Sequence, residues 1–192
     1  MICPGLAGPL SGGKFGTMEG GHRVPGIFRW PGQIPAGQVS DVTLTSMDLL
    51  PLFCGLAGVD QPGDRKIDGA EIFPILSGRE TASPHPFLYY YNGTNLQAVR
   101  EGEWKLHLPR TPQDQPFWNK RANGGRLFVS LEQNALFNLK EDLGEKENVA
   151  DQNPEVVERL LAQADAIRAE LGEVNVKGSD QRDINLIDPQ ER

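Results

Sequence analysis

At 192 residues the chain can bury one ordinary core, or one core with a small appended subdomain. Hydrophobic residues make up 38% and charged residues 23%, which excludes an intrinsically disordered chain, while 22 glycines and 15 prolines exclude a plain helical bundle and predict many turns. A net charge of −7 with no dense Lys/Arg block argues against a nucleic-acid partner, and no stretch approaches the length of a membrane span.

The first ten residues, MICPGLAGPL, carry neither a basic n-region nor an apolar h-region, so they do not read as a signal peptide. Residues 1 to 23 are loop-like, with a glycine-rich stretch around a single lysine, Lys14. Gly8, Gly13 and Lys14 match G-x-x-x-x-G-K, but Phe15 stands where a nucleotide loop needs Ser or Thr, and neither the preceding strand nor the following helix is predicted. Nucleotide binding is therefore disfavoured. VPGIFRWPG, bracketed by Pro25 and Pro31, reads as one buried strand. Residues 40 to 58 read as a helix with Ser46 as N-cap, Pro51 near the first turn and Gly58 as the stop. Within it Cys54 reads as a buried free thiol, and a Cys3–Cys54 disulfide is not expected.

From residue 86 the pattern turns to strands: PFLYYY, LQAVREG, EWKLHLP, then RLFVS and ALFNL, which together predict a small antiparallel sheet. A helix follows, capped by Asn153, opened by Pro154 and closed at Gly172, with Val156, Val157, Leu160, Leu161, Ala164, Ile167 and Leu171 on one face. Residues 173 to 192 are polar and aperiodic and read as a loose tail. Three units result: 1–80, 81–172 and the tail 173–192.

Several side chains invite a functional reading. Glu19, His22 and Arg23 flank a glycine turn, where a paired Glu and Arg more often fasten a loop than act on a substrate. His85 lies between two prolines and His107 on a strand, neither with a partner at ligand spacing. Arg100 and Lys105 fall on adjacent strands, where they fasten the hairpin or contact substrate. Asn92-Gly93-Thr94 matches a glycosylation sequon, a chance-level signal by itself.

Spacing across the whole chain says more than any one residue. GGKFGTMEGGHRVPGIFRWPG closely resembles a segment of the formylglycine-dependent sulfatases, the arylsulfatase-like branch of the alkaline-phosphatase superfamily, through G-K-x-x-x-x-E-G-G-x-R-x-P and W-P-G. SMDLLPLFCGLAGV, DRKIDGAEIFPILSG, LQAVREGEWKLH and ALFNLKEDLGEKENVADQNPEVV resemble later blocks of that family, in the family's order. The resemblance implies an α/β fold: the C-terminal part of the sulfatase α/β/α domain, followed by a small antiparallel sheet with one packed helix.

It also implies hydrolysis of sulfate monoesters, with Lys14 contacting the substrate sulfate and Arg100, Lys105 and His22 as possible substrate contacts. The expected substrate is a sulfated carbohydrate or an aryl sulfate, and the intact family protein is expected to be periplasmic or secreted. The family's calcium and its formylglycine, made from the cysteine of C-x-P-x-R, are implied as well. Neither cysteine fits that motif, and the residues ahead of Lys14 contain no Asp or Asn for the calcium. The expectation is therefore a truncated or split sulfatase, catalytically incomplete by itself, with a missing N-terminal half as partner. Such a chain should expose apolar surface around Ile27, Phe28 and Trp30 and fold marginally when alone. Two other readings are a non-catalytic module binding sulfated glycans or a partner, and a phosphodiesterase-like or phosphonate-hydrolase relative.

Overall fold

A computed structural model of the chain describes residues 8–111 and 130–181. In chain order they form α1 (Glu19–His22), a 3-10 turn (Ser46–Asp48) running into α2 (Leu49–Ala57), α3 (Phe73–Leu76), β1 (Leu88–Asn92), β2 (Asn95–Glu101), β3 (Trp104–His107), β4 (Ala135–Asn138), a second 3-10 turn (Ala150–Gln152), α4 (Pro154–Leu171), β5 (Gly172–Glu173) and β6 (Val176–Lys177). They divide into two compact units, Val24–Pro86 and the residues on either side of it. The division departs from the sequence boundary near residue 80, because the glycine loop and α1 belong with the C-terminal sheet.

The larger unit is built on an antiparallel meander, β1-β2-β3-β4. Because side chains alternate across a strand, register decides which residues share a face. Val99 lies opposite Leu106, and Leu106 opposite Leu136, so these three share the apolar face. On the other face Arg100 pairs with Lys105, and Ala98 with His107. The register shifts between Tyr90 and Tyr91, leaving Gln97 as an extra residue on β2. This bulge lets Leu96 and Val99 both reach the core and sends Gln97 to the opposite face, where its Oε1 accepts the Thr17 hydroxyl at 2.9 Å.

Helix α4 covers the apolar face. Val156, Leu160, Ala164 and Ile167 recur at helical spacing and pack with Leu96, Val99, Leu106 and Leu136 into the main core. Asn153 occupies the N-cap position as expected, but its side-chain amide donates back to the Val149 carbonyl at 3.0 Å instead of capping. Leu171 stands at the exposed end of the stripe. The sequence reading of a loose tail from residue 173 is corrected for 173–181. Those residues form the β5–β6 hairpin and a return turn, in which the amides of Ser179 and Asp180 bind the last-turn carbonyls of Ala169 and Glu170 at 2.9 and 2.8 Å. Residues 182–192 lie outside the described residues, as do residues 126–129 of the expected strand RLFVS; Leu131 makes only an isolated bridge with Arg110.

The smaller unit has a core of Leu52, Ile72 and Ile75 with flanking residues of 40–45, α2 and α3. Its organising residue is Asp48, which is fully buried. Its Oδ2 accepts the Thr45 amide at 2.7 Å, while Oδ1 accepts the Ala70 amide at 2.9 Å and meets His85 Nε2 at 2.7 Å. Gly69 must be glycine here, since a Cβ would overlap the Met47 carbonyl. The expected helix over 40–58 is shorter: the 3-10 turn and α2 span residues 46–57, with Thr45 rather than Ser46 at the cap position, and Gly58 ends it at φ 66°. Cys54 is a free thiol and half-buried, and Cys3 lies outside the described residues.

The strand expected over VPGIFRWPG is absent. Among the described residues no strand lies alongside to take up its amides and carbonyls, and an unpaired strand has no ladder to hold it extended. Val24 and Ile27 are 84% and 91% exposed, and Phe28 and Trp30 line an apolar groove with Leu52, Phe53, Phe73 and Leu76. The exposure expected around Ile27, Phe28 and Trp30 is thus present.

Leu160 sits at the centre of the helix–sheet contact with no exposed surface. Leu160→Ala should cost about 2–5 kcal/mol of stability, read as a lowered urea midpoint with unchanged slope.

Candidate functional site

The glycine loop lies against the polar face of the sheet. A short turn closes between the Gly16 amide and the Gly13 carbonyl at 2.9 Å, and the Gly20 amide returns to the Ser11 carbonyl at 2.8 Å. Gly21 packs so closely on this turn that a Cβ would overlap the carbonyl oxygens of Gly16 and Gly13, which is the physical reason for the second glycine of E-G-G. Lys14 projects from the tip and is exposed; its Nζ lies 5.2 Å from the ring centroid of Phe15. Phe15 itself has φ 76°, a left-handed conformation costly for an aromatic residue. The Asn92 side chain donates to its carbonyl at 3.0 Å and helps hold that bend.

Beneath the loop is a buried charge cluster. Glu19 is fully buried, and both of its oxygens are engaged. Oε1 accepts the Tyr90 hydroxyl at 3.0 Å and Lys105 Nζ at 2.9 Å; Oε2 accepts Arg100 Nη1 at 3.1 Å. Lys105 is also fully buried. Its ammonium donates to the Thr17 carbonyl at 2.7 Å and to Glu19 Oε1, and forms an ion pair with Glu145 Oε1 at 3.0 Å, so it is held between two buried carboxylates. Tyr90 presents its ring face to the same ammonium at 4.2 Å.

Glu145 completes the cluster from the turn after β4. Its Oε2 accepts the Glu19 backbone amide at 2.7 Å and its Oε1 meets His107 Nε2 at 2.7 Å. The other ring nitrogen of His107, Nδ1, faces both terminal nitrogens of Arg110 at 3.3 Å. Arg110 can only donate, so Nδ1 accepts and the ring proton sits on Nε2, pointing at Glu145.

The electrostatics follow from burial and neighbours. Burial lowers the His107 pKa to about 4, helped by the positive Lys105 and Arg110 and opposed by Glu145. Burial also lowers Arg110, to about 10. For Glu145 burial pushes the pKa up, but the His107 bond, the Lys105 charge and the Glu19 amide outweigh it and hold the carboxyl at about 2. Glu19 is likewise lowered: burial raises it, and Lys105 and Arg100 together reverse the sign. Burial raises the Tyr90 hydroxyl well above its ordinary range.

The residues singled out from sequence fall into distinct environments. Lys14 is at the exposed tip, and Lys105 is wholly interior. Arg100 is largely covered, with Nε on the Gly102 carbonyl at 2.8 Å. His22 sets its ring edge-on to Tyr90, with centroids 4.9 Å apart, and burial together with Lys105 lowers its pKa. Glu19 forms the hub, with Arg23 4.0 Å from it. Tyr90, Arg110 and Glu145 were not legible as participants. The alternation of WKLH does place Lys105 and His107 on one face, and a buried lysine demands a carboxylate. Nothing local marks Glu145 as that carboxylate. Among the described residues no group of three or more His, Cys, Asp or Glu could hold a metal, and Cys54 lies on α2 outside C-x-P-x-R. The described residues therefore do not fit the family's calcium or its formylglycine.

Residues 83–187 match the family model described as the C-terminal region of aryl-sulfatase. Human arylsulfatase D is 44% identical over 119 residues, 58% of this chain and 20% of that protein. Human steryl-sulfatase is 47% identical over 99 residues (52% and 17%), and mouse steryl-sulfatase 36% over 186 residues (87% and 29%). Among solved structures, a sulfatase described with glycosaminoglycan metabolism by Bacteroides thetaiotaomicron superposes with TM-score 0.67 at 27% identity, covering 83% of this chain and 32% of that one. Ps i-CgsB in complex with k-i-k-neocarrahexaose gives 0.63 at 25%, covering 92% and 34%. The chain belongs to the sulfatase family. It spans less than a third of the length of these curated relatives.

Removing one member of a buried ion cluster strands the others. Lys105→Met should cost about 3–5 kcal/mol, measured by urea unfolding at pH 7.5.

Stability should also fall with acid. Between pH 6.5 and 4 the unfolded chain protonates His107 while the folded chain does not, so each step down in pH favours unfolding. The carboxylates of Glu19 and Glu145, lowered from 4.5, add the same sign below that value. The His107 contribution alone amounts to roughly 2 kcal/mol between neutral pH and pH 5. His107→Gln should flatten the dependence of the urea midpoint over that interval; an unchanged slope would contradict the assignment.

Proposed function

We propose that this chain forms the Lys14 side of the pocket of a sulfuric ester hydrolase, with Lys14 contacting the sulfate of a sulfate monoester. The observation that carries this reading is the contrast between an exposed, unburdened lysine at the loop tip and the buried cluster that anchors the loop beneath it. No carboxylate among the described residues pairs with Lys14, so its charge faces solvent and is free to meet an anion. An ammonium on a flexible stem brings three donors to sulfate oxygens, and each charge-assisted bond is worth about 1.5–3 kcal/mol.

Arg100 is the second cation of interest, since its Nη1 donates to Glu19 beneath the loop. Lys105 acts from within, as the counter-ion that keeps Glu19 and Glu145 in place. His22 stands at the edge of the same face. The substrate class that fits is a sulfated carbohydrate or an aryl or steryl sulfate. Support comes from the relatives bearing steryl-sulfatase and N-acetylgalactosamine-6-sulfatase names, and from a structural neighbour solved with a carrageenan-type oligosaccharide. The nucleophile and calcium ligands of the family have no counterpart at the matching motifs in these 192 residues, so turnover requires sequence that supplies them.

The test offers 4-nitrophenyl sulfate to the 192-residue chain and to the same chain joined to the nucleophile-bearing part of a sulfatase. The first should give no turnover and the second should. In the joined chain Lys14→Ala should lower kcat/KM by about one to two orders of magnitude, the range for losing one charge-assisted contact. An unchanged kcat/KM removes Lys14 from the site. Binding of sulfated glycans by the 192-residue chain, with no hydrolysis by the joined one, would favour a binding module instead.

A further inference from the structure

We propose that Glu145 is a positioning residue for the Lys14 loop, holding α1 in place from the far side of the charge cluster. The inference rests on the reading of Lys14 as the sulfate contact, and adds to it the group that sets where Lys14 stands. Among the described residues Glu145 makes no hydrogen bond or ion pair with Lys14 or Phe15 at the loop tip. It acts through the Glu19 backbone amide, which its Oε2 accepts at 2.7 Å. Glu19 in turn fixes the loop: the next amide, Gly20, binds the Ser11 carbonyl, and Gly21 bears on the Gly13 and Gly16 carbonyls either side of Lys14.

The geometry of Glu145 is specialised for this. Its backbone sits at φ 52°, a left-handed conformation that a non-glycine residue adopts only where its surroundings impose it. Asp142 builds the turn, accepting the Lys146 and Glu147 amides on Oδ2 at 2.6 and 2.8 Å. The carboxylate is then orientated from two sides, by Lys105 at 3.0 Å and by His107 Nε2 at 2.7 Å. His107 is itself set by Arg110, which donates to its Nδ1, so that His107 Nε2 and the Glu19 amide both donate to the Glu145 carboxylate from opposite ends. The same turn holds the loop a second time, through the Ser11 hydroxyl on the Gly144 carbonyl. A carboxylate that only balanced Lys105 would not need its second oxygen on a loop amide.

Nuclear magnetic resonance on the 192-residue chain tests this without any turnover. Glu145→Gln should raise hydrogen exchange at the Gly16, Gly20 and Gly21 amides by roughly tenfold to a hundredfold, the loss expected for one hydrogen bond to a charged group. The Leu108 amide, bound to the Gln97 carbonyl at 2.9 Å, should keep its rate. The Glu19 amide proton should move upfield as a carboxamide replaces its carboxylate acceptor. Equal acceleration at loop and sheet amides, or no change at the loop, overturns the proposal. If Glu145→Gln does not fold, His107→Gln loosens one orienting bond and leaves the Lys105 pair intact. It should raise loop exchange several-fold with Leu108 unmoved, and an unmoved loop overturns the proposal equally. Titration with inorganic sulfate separates the two ideas. Lys14→Ala should abolish sulfate-induced shifts of the loop amides while leaving their exchange rates alone. Shifts that persist in Lys14→Ala defeat the sulfate reading, whereas the positioning role is decided by the exchange rates.

Discussion

The larger unit depends on a carboxylate that has no access to water. Burying Glu19 unpaired would cost several kcal/mol, and that cost is offset only because Lys105, Arg100 and the Tyr90 hydroxyl converge on its two oxygens. Once Lys105 is buried to serve Glu19, a second carboxylate, Glu145, lies 3.0 Å from the same ammonium as a further counter-ion. Once Glu145 is buried, it needs donors of its own, which brings in His107 and the Glu19 amide. Lys105, Arg100 and Arg110 bring positive charge to this cluster and Glu19 and Glu145 negative charge, with His107 uncharged, beneath a loop that carries a further exposed lysine.

The two faces of one small sheet divide the labour. Leu106 and its neighbours bury against α4 and supply the apolar driving force, while the residues one position away on β3, Lys105 and His107, hold the loop. A strand of four residues, WKLH, thus serves both purposes through the two-residue period of its side chains. The family match begins at residue 83 and so contains Lys105, His107, Arg110 and Glu145, but not the loop with Lys14 and Glu19. The cluster joins Glu19 to partners between 71 and 126 residues away in sequence, which makes the loop's position a property of the tertiary fold rather than of the loop.

The smaller unit uses the same device on a smaller scale. Asp48, also fully buried, gathers the Thr45 and Ala70 amides and His85 around one carboxylate, and so links the start of α2 to the segment before α3. Its apolar residues are less well covered: Phe53 on α2 is 60% exposed, in keeping with a helix whose outer side meets no partner among the described residues. VPGIFRWPG shows the same physics. Its residues are suited to a buried strand, yet a strand exists only where another strand takes its hydrogen bonds.

The sequence by itself determined the family, through five spaced blocks, and the local elements whose signals are local: the meander from alternating runs and turns, α4 from its Pro154 start, periodic apolar face and Gly172 stop, and α2's end at Gly58. It also marked Lys14 as the lysine of the loop and Gly21 as part of E-G-G. Only the tertiary structure decided that Glu19, read as a loop fastener, is the hub of a buried cluster, that Lys105 points inward between two carboxylates, and that Glu145 and Arg110 belong to that cluster at all. The reason is that hydrogen-bond partners of a buried charge are set by strand register and by the packing of distant loops, and neither leaves a mark at the residue itself. Residues 173–181 teach the same lesson: their polarity suggested a free tail, and the last-turn carbonyls of α4 gave the Ser179 and Asp180 amides a place to bind.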